Sequence, residues 1–368
     1  MTGIQRVGME IIKEVMIQEP ERVGLVKIAK IAGRFEPLRK PPSFLYPRED
    51  SETLHRFDAQ RSPNQTSEVT KPGDFLVAIG ASWPHWYFIR SARKAKRRHL
   101  KLAIMVHDLL PLTHPQFFKP RDVIAFRNGL ESLAGLIDLF LVSSKDVAIL
   151  LNRHFVSRNW PIPRIDVIRF GAGFAVPQHV ASIPSWEAPY VLLVSTLEVR
   201  KNHLLMVRIW KRLIACYGAT KVPQLVFVGR RGWLVDELMN ELERTQFLFG
   251  KITWRSDVDD SGLSSAYDHC LFTIFPSRGE GWGLPLTESL RHGKFCLSSN
   301  RNSLPEAGGN FAEYFDPENF DDAYHKVERV LFEPGYLAKR TAEIRNGFVS
   351  PSWSDTARSL LQALKRTD

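Results

Sequence analysis

One stretch restricts the possible folds of this chain more than any other: a short apolar run, a loop with three glycines and then a helical pattern. Residues 271–276 are apolar and partly β-branched, which is typical of a buried parallel strand. The glycines lie within residues 277–284, and Pro285 presets φ for the first helical turn. His292-Gly293 is a typical helix ending. This order predicts an α/β fold with a parallel sheet, and a helix N-terminus of this kind suits a phosphate.

Two carboxylates flank the start of this helix. Glu280 lies in the loop and Glu288 lies one turn into the helix, with seven residues between them. Both can therefore face a ligand over the helix N-terminus, where Glu280 can hydrogen-bond sugar hydroxyls and Glu288 can bind a ribose. The alternative is an ordinary strand–loop–helix unit with two surface glutamates. The glycine, tryptophan and proline residues around the pair favour the ligand site.

Residues 277–288 resemble the donor-site signature of glycosyltransferase family 4, whose members are retaining enzymes of the GT-B architecture. The resemblance covers nearly the whole chain and is strongest over residues 190–318. It implies an α/β, GT-B fold of two Rossmann-like domains whose parallel sheets face a central cleft. It also implies a nucleotide diphosphate sugar as the donor. The amides expected to contact the diphosphate are those of Gly281, Trp282, Gly283 and Leu284.

Strand-like and helix-like segments alternate along both halves of the chain, as two parallel sheets require. The predicted strands are residues 23–31, 74–80, 102–106, 138–142, 165–168, 190–194, 224–229, 252–254, 271–276 and 295–299. The predicted helices include residues 86–98, 126–136, 203–217, 259–268, 321–332 and 352–364, and one that starts near Lys145 behind Ser143-Ser144. The predicted domains are an N-terminal Rossmann-like, acceptor-binding domain (1–171), a linker (172–188), a nucleotide-sugar-binding domain (189–350) and a C-terminal helix crossing back to the N-terminal domain (351–368).

The chain opens with a glycine turn, residues 2–7, followed by apolar residues at helical spacing. In the subgroup of bacterial mannosyltransferase-like proteins that this opening resembles, a similar turn follows the first strand of the N-terminal domain, and Gly3 is the corresponding donor contact. Nothing precedes the turn in this sequence, so either the start codon is misassigned or the chain is shortened, and we expect the first sheet to lack a central strand. The second half of residues 35–71 has few apolar residues and predicts a long loop or a partly disordered insertion.

Composition limits the class of protein. The 368 residues are 44% hydrophobic, enough for two cores, and no apolar run approaches a membrane span. No secretory signal is visible, and three widely spaced cysteines predict a reduced, cytoplasmic compartment. The net charge is +10, and all of the excess lies in residues 1–180, where 27 Lys and Arg face 17 Asp and Glu. A basic half of this kind suits nucleic acid, an anionic membrane face or a phosphate-bearing substrate.

Lys201 is the candidate contact for the donor diphosphate, because it follows a strand and the family uses a lysine in a similar R-K-N context. Many relatives carry a second basic residue six positions earlier, where this chain has Ser195. The contacts of Lys201 to the phosphates are then either fewer than in those relatives or shared with Arg200 or Arg230, and Thr196 is a further candidate donor contact. The alternative is a solvated Arg-Lys pair at a helix start, which the helix dipole disfavours.

His107-Asp108 follows a buried strand, at the end where ligands of α/β sheets bind. The resemblance implies that His107 contacts the donor sugar and that Asp108 positions the acceptor hydroxyl or acts as its base. With Glu280, these are the candidate catalytic residues; a structural histidine is the alternative. Asp257 and Asp259 form a D-x-D, but Asp259 precedes a helix, so we predict an N-cap, no metal and no cofactor.

A run of basic residues follows a group of aromatic ones within residues 83–101. Aromatic side chains beside cations suit an anionic membrane surface. A solvated helix face is the alternative, and nucleic acid is not an expected partner. The candidate membrane or acceptor surface comprises Trp83, Trp86, Arg93, Lys94, Lys96, Arg97 and Arg98.

The sequence therefore predicts a cytoplasmic enzyme, peripheral to the inner face of the membrane, that builds cell-surface polysaccharide such as lipopolysaccharide. It would move a hexose with retention from a nucleotide diphosphate sugar to a saccharide or lipid-linked acceptor. Subgroup analogy favours mannose from GDP-mannose. Two alternatives stay open: another GT-B enzyme, such as an epimerase or a phosphorylase, and a nucleotide-sugar-binding protein without turnover.

Overall fold

The structure, a computed structural model, describes residues 3–29, 34–38, 70–173 and 189–366. The chain divides into two compact units, one of residues 1–171 with 351–368 and one of residues 172–350. Predictions for most of the 35–71 stretch and for residues 174–188 of the linker fall outside the described residues. No helix in the described part of the chain is long and apolar enough to cross a membrane.

The first unit contains a short antiparallel ribbon and a four-stranded parallel sheet, in the spatial order in which its strands are named here. The ribbon is β1 (Val26–Ala29) and β2 (Arg34–Pro37), and the sheet is β3 (Phe75–Ala78), β4 (Lys101–Val106), β5 (Leu139–Val142) and β6 (Arg164–Val167). The helices are α1 (Gly3–Gln18), α2 (Trp86–Lys96), α3 (Leu110–Thr113), α4 (Pro120–Leu133) and α5 (Lys145–Ser157), with the last helix of the chain, α14 (Trp353–Lys365).

Local sequence explains these elements. β4 and β5 are buried almost throughout, as parallel strands covered on both faces must be. The predicted cap of α5 is confirmed, because the Ser144 hydroxyl accepts from the Val147 amide at 3.2 Å. The strand predicted over residues 23–31 is shorter, and its partner β2 was not predicted. The helix predicted over residues 126–136 begins six residues earlier, because Pro120 is suited to a first turn.

The second unit contains a six-stranded parallel sheet with the spatial order β12-β11-β10-β7-β8-β9. Its strands are β7 (Tyr190–Val194), β8 (Gln224–Val228), β9 (Ile252–Arg255), β10 (Thr273–Phe275), β11 (Cys296–Ser299) and β12 (Glu313–Phe315). Its helices are α6 (His203–Tyr217), α7 (Asp236–Arg244), α8 (Gln246–Phe249), α9 (Asp260–His269), α10 (Leu284–Arg291), α11 (Leu304–Gly308), α12 (Phe320–Phe332) and α13 (Tyr336–Gly347). The edge strand β12 and helix α13 were not predicted, and the other strands match their predicted positions closely.

Candidate active site

The chain reverses its direction of travel across the second sheet between the neighbouring strands β7 and β10. Parallel α/β sheets bind ligands at such switch points, beyond the carboxyl ends of the strands. Two loops meet here, residues 195–202 after β7 and residues 276–283 after β10. The Arg278 amide donates to the Arg200 carbonyl at 2.8 Å, and the Ser303 hydroxyl donates to the Glu280 carbonyl at 2.7 Å. The backbone of the candidate site is therefore tied together on both sides.

Helix α10 begins at this point, with the glycine and the proline that the sequence predicted for its start. Gly283 is its N-cap in left-handed geometry (φ +108°), so the cap offers no side-chain acceptor to the first turn. Pro285 lies in the first turn, as predicted, and Gly293 follows the C-cap His292 at φ +65°. The helix N-terminus therefore presents its positive dipole end, which an anion can use, although Pro285 has no N–H and the Leu286 amide donates to the Gly283 carbonyl at 3.1 Å.

The structure joins Glu280 to the two cations of the first loop. Glu280 Oε1 lies 2.5 Å from Lys201 Nζ and 3.0 Å from Arg200 Nη1. Arg200 also donates to the Gly279 carbonyl, and its Nη2 lies 2.5 Å from the carboxylate of Glu198. Arg200, expected as a phosphate contact, is therefore engaged in holding the glycine loop.

The side chains of this cluster are largely buried. Burial alone would raise the pKa of the Glu280 carboxyl, but the charges of Arg200 and Lys201 and hydrogen bonds from Lys201 and Ser277 lower it to about 2. Burial lowers the pKa of Lys201, against the opposing effect of Glu280. A diphosphate near Lys201 would give this cation a second anionic partner.

Glu288 lies deeper than expected from its position in the helix. Its side chain is only 3% exposed, and its Oε2 accepts from the Tyr267 hydroxyl at 2.9 Å. The neighbouring Trp282 and Gly281 are also buried. The alternative of an ordinary surface glutamate is therefore wrong for Glu288. The hydrogen bond of Glu288 to Tyr267 on α9 gave no signal in the sequence.

The remaining predicted donor contacts lie at the ends of β7 and β8. The Ser195 hydroxyl is 3.2 Å from His203 Nε2, and burial lowers the pKa of His203 to about 3. Thr196 is half-buried, whereas Arg230 is exposed and its carbonyl accepts from the Leu197 amide at 2.8 Å. Ser195, in the place of the second basic residue of many relatives, therefore orients a neutral histidine.

His107 and Asp108 lie in the first unit, at the carboxyl end of β4. His107 Nε2 donates to the Ile79 carbonyl at 2.8 Å, and burial lowers the pKa of His107. Asp108 Oδ1 accepts from the Leu110 amide at 3.0 Å and so helps to start α3. Gly3, the other candidate in this unit, is the exposed first residue of α1.

The D-x-D has the predicted structural role. Asp259 accepts from the Gly262 amide at 2.7 Å as the N-cap of α9, and Asp257 pairs with Arg255 at 3.1 Å. In the described residues no group of three or more His, Cys, Asp or Glu side chains is placed to hold a metal ion.

The candidate membrane surface needs two corrections. Trp83 is 2% exposed and packs edge to face on Phe126 at 5.0 Å, so it belongs to the core. Lys96 Nζ forms two bonds of 2.9 Å with Asp138, which also accepts from the Leu102 amide, so this lysine braces the sheet. The other residues of the group are at least partly exposed. Sequence periodicity alone could not distinguish the exposed members of the group from the buried one.

An exposed stripe does remain on α2. Trp86, 63% exposed, the exposed residues Arg90 and Arg93, and the exposed C-cap Arg97, which keeps right-handed helical geometry, follow the spacing i, i+4, i+7, i+11, which places them on one helical face. Arg90 was not among the predicted residues, although its spacing from Trp86 could have indicated it. We call these four residues the α2 stripe.

The two units, each built on a parallel sheet with helices around it, define a GT-B fold. Three solved structures share it. The pneumococcal O-GlcNAc transferase GtfA in complex with UDP and GlcNAc has a TM-score of 0.60 at 15% identity, covering 81% of this chain and 58% of GtfA. OtsA has a TM-score of 0.62 at 12% identity, and the match covers 82% of this chain and 75% of OtsA. Anabaena Alr3699/HepE in complex with UDP and glucose has a TM-score of 0.61 at 15% identity, and the match covers 80% of this chain and 78% of HepE.

Sequence comparison gives the family. Residues 188–331 match the family described as Glycosyl transferases group 1. The O-antigen chain mannosyltransferase B of Escherichia coli is 30% identical over 273 residues, which cover 70% of this chain and 68% of that protein. The chain therefore belongs to the group 1 glycosyl transferases.

A second similarity is to a longer protein. The serotype-specific mannosyltransferase WbdA of Escherichia coli is 29% identical over 281 residues, which cover 71% of this chain and 33% of WbdA. The chain thus matches about a third of the length of this relative.

Proposed function

We propose that this chain is a retaining hexosyltransferase of the family 4 type, acting on a nucleotide diphosphate sugar and a saccharide or lipid-linked acceptor in O-antigen-type polysaccharide synthesis. The observation that carries the proposal is the charged cluster of Lys201, Arg200 and Glu280 beside the N-terminus of α10. Family membership and relatives named as mannosyltransferases support it. They also favour mannose from GDP-mannose as the donor.

In this proposal the donor diphosphate lies against Lys201 and the amides of residues 281–284. As the sugar leaves, negative charge grows on the diphosphate, and a buried ammonium with a helix N-terminus stabilises it in an environment of low dielectric. Glu280, kept ionised by Arg200, can accept hydrogen bonds from sugar hydroxyls. Glu288 accepts from the ribose. Front-face displacement on this site would retain the anomeric configuration.

His107 and Asp108 are the proposed contributions of the first unit. With its Nε2–H donated to Ile79, a neutral His107 presents Nδ1 as an acceptor, which suits a sugar hydroxyl. Asp108 is the proposed contact of the acceptor hydroxyl. Neither the nucleophilic attack nor leaving-group stabilisation in this scheme needs a metal or a cofactor.

We also propose that the protein works at the cytoplasmic, anionic face of a membrane through the α2 stripe. Three exposed guanidinium groups and an exposed indole on one helical face provide the chemistry for lipid phosphates and for the headgroup boundary. Lipid-linked acceptors would then be concentrated near the enzyme.

A thermal-shift panel with GDP-mannose, UDP-glucose, UDP-GlcNAc and ADP-glucose tests the donor. A ligand that binds the folded state raises apparent stability by mass action, so we expect the largest increase in Tm with GDP-mannose. The same donor, incubated with acceptor saccharides, should give a product with the donor's anomeric configuration by NMR.

The Glu280→Ala variant should fold and lose transfer. Full transfer by a folded Glu280→Ala protein would refute this site. Conversion of the nucleotide sugar without any acceptor would instead identify an epimerase, and nucleotide-sugar binding without turnover would identify a binding protein.

A further inference from the structure

The hydroxyl of Tyr267, on α9, is buried and contacts the carboxylate of Glu288, the proposed ribose contact. Tyr267 is fully buried (0% exposed), and its hydroxyl donates to Glu288 Oε2 at 2.9 Å. A buried carboxylate requires hydrogen-bond donors, and a glutamate has three side-chain torsions to restrain. Tyr267 supplies a donor from a rigid ring, whose position is set by about two side-chain torsions.

The ring of Tyr267 is itself held in place by a stacked neighbour. His292, at the end of α10, stacks on Tyr267 with ring centroids 5.1 Å apart and planes inclined by 17°. His292 Nδ1 in turn lies 2.7 Å from the Asp268 carboxylate. The chain from Asp268 through His292 and Tyr267 to Glu288 therefore links α9 with α10 by contacts that orient each successive group.

The hydroxyl acts as a donor throughout the ordinary pH range. Burial, and then the neighbouring Glu288 carboxylate, raise the pKa of Tyr267 well above its usual value, so the phenol stays protonated. A carboxylate has acceptor capacity on both oxygens, so a bond to Oε2 is compatible with further donors to the same group.

We propose that Tyr267 is a positioning residue that holds Glu288 in the orientation needed to accept hydrogen bonds from the ribose hydroxyls of the donor nucleotide. The inference rests on the proposed function, because it takes the nucleotide to lie over α10. It assigns to Tyr267 an effect on the ribose only, with no contact to the sugar, the phosphates or the base.

The chain offers a matched control. Tyr190 is 2% exposed, and its hydroxyl donates at 2.8 Å to the Ala266 carbonyl, one residue from Tyr267. Tyr190→Phe and Tyr267→Phe therefore each remove one buried hydroxyl: that of Tyr190 bonds to the backbone of α9, and that of Tyr267 is carried by α9 and bonds to α10. Only the second hydroxyl contacts the carboxylate of Glu288.

The test is calorimetric titration of the full chain and both variants with GDP and with 2′,3′-dideoxy-GDP. For the wild type, loss of the ribose hydroxyls should weaken binding. Tyr267→Phe should bind GDP about tenfold more weakly, which is about 1.4 kcal/mol, and bind the dideoxy analogue as the wild type does. Tyr190→Phe should bind both compounds like the wild type, whatever its effect on Tm.

Other outcomes separate the possible failures. If Tyr267→Phe weakens both compounds equally, or keeps the full preference for GDP, the positioning role is wrong while the nucleotide site stands. If the wild type binds none of GDP, UDP, ADP and dTDP, the proposed function is wrong and this inference falls with it.

Discussion

Glu280 is an ionised side chain in a place that discourages ions. It is 11% exposed, and an isolated carboxylate there would take up a proton, but Arg200 and Lys201 both lie within 3.0 Å of it. Breaking such a pair from one side leaves an uncompensated buried charge, which costs more than the pair contributes as a whole. The cluster is thus costly to disturb.

We predict that Glu280→Gln lowers the free energy of unfolding by roughly 3 kcal/mol at pH 7, because two buried cations lose their shared carboxylate. The folded-state pKa of Glu280, about 2, lies below its ordinary value of 4.5. Its stabilising contribution is therefore full above pH 4.5 and is lost as the pH falls towards 2. Urea unfolding at pH 7 to 3 should show wild type and variant converging in the acid range.

Glu237→Gln is the control for that series, since its side chain is 76% exposed in its pair with Arg208. We expect it to change stability by less than about 0.5 kcal/mol. A gap between Glu280→Gln and wild type that stays constant down to pH 3 would contradict the role assigned to the cluster.

The elements of the second unit place the candidate loops by close backbone contact. Directly after β8, a Cβ on Gly229 would lie 1.9 Å from the carbonyl oxygen of Ser195, the residue that follows β7. The two strand ends can approach so closely only because residue 229 has no side chain. The same approach positions Thr196 and the turn that carries Lys201.

We predict that Gly229→Ala costs about 3 kcal/mol of stability and weakens nucleotide binding, because the strand ends must separate to admit the methyl group. Gly135→Ala, where a Cβ meets nothing within 4 Å, should cost less than about 0.5 kcal/mol. Denaturant unfolding and calorimetry on both variants provide the measurement. Equal stability of the two variants would show that the close approach is not required.

The α2 stripe gives a second prediction for an element. Replacing Arg90, Arg93 and Arg97 with Gln should abolish most sedimentation with vesicles of anionic lipid, since each cation near such a surface contributes about 1 kcal/mol. The loss should mirror the effect of high salt on the wild type.

The control for the α2 stripe variant is a variant that loses the same number of positive charges from an exposed face of another helix. Arg208, Lys211 and Arg212 lie on the outside of α6, and their replacement with Gln should leave sedimentation unchanged. Unaltered binding by the α2 variant, or equal loss in both, would rule out the stripe as the membrane surface.

At the scale of the whole molecule, residues 351–368 belong to the same unit as residues 1–171. The Thr356 hydroxyl of α14 accepts from the Gly171 amide at 2.8 Å and donates to the Arg169 carbonyl at 2.9 Å. Helix α14 also packs along α1, where Gln18 donates to the Ser354 carbonyl at 2.9 Å. The first unit therefore includes a helix that follows the second unit in the sequence.

We predict that Thr356→Val lowers the stability of the first unit by about 2 kcal/mol, because the buried Gly171 amide loses its acceptor and the Arg169 carbonyl loses its donor. Hydrogen exchange should become faster in α1 and α14 and stay unchanged over residues 189–350. Ser359→Ala, on an exposed turn of the same helix, should have no comparable effect. Faster exchange in both units would contradict an effect confined to the first.

The positions of most strands and of the glycine loop follow from local pattern. Alternation of apolar runs with helical periods, and the caps at Ser144 and Asp259, depend on residues within a few positions of each other. The same is true of the start and end of α10. The α13 helix was missed because its hydrophobic pattern is weak, with Ile344 its one buried residue among those described.

The pairing of Lys201 with Glu280 spans 79 residues, and that of Tyr267 with Glu288 joins two helices. Residue types, spacing and the family resemblance named three of these four groups, but no local rule states which donor meets which acceptor. Trp83 shows the same limit, because an aromatic residue beside cations suits either a core or a surface. Local periodicity sets the elements through short-range sterics and burial, whereas partners distant in sequence are chosen only when the sheets and helices pack.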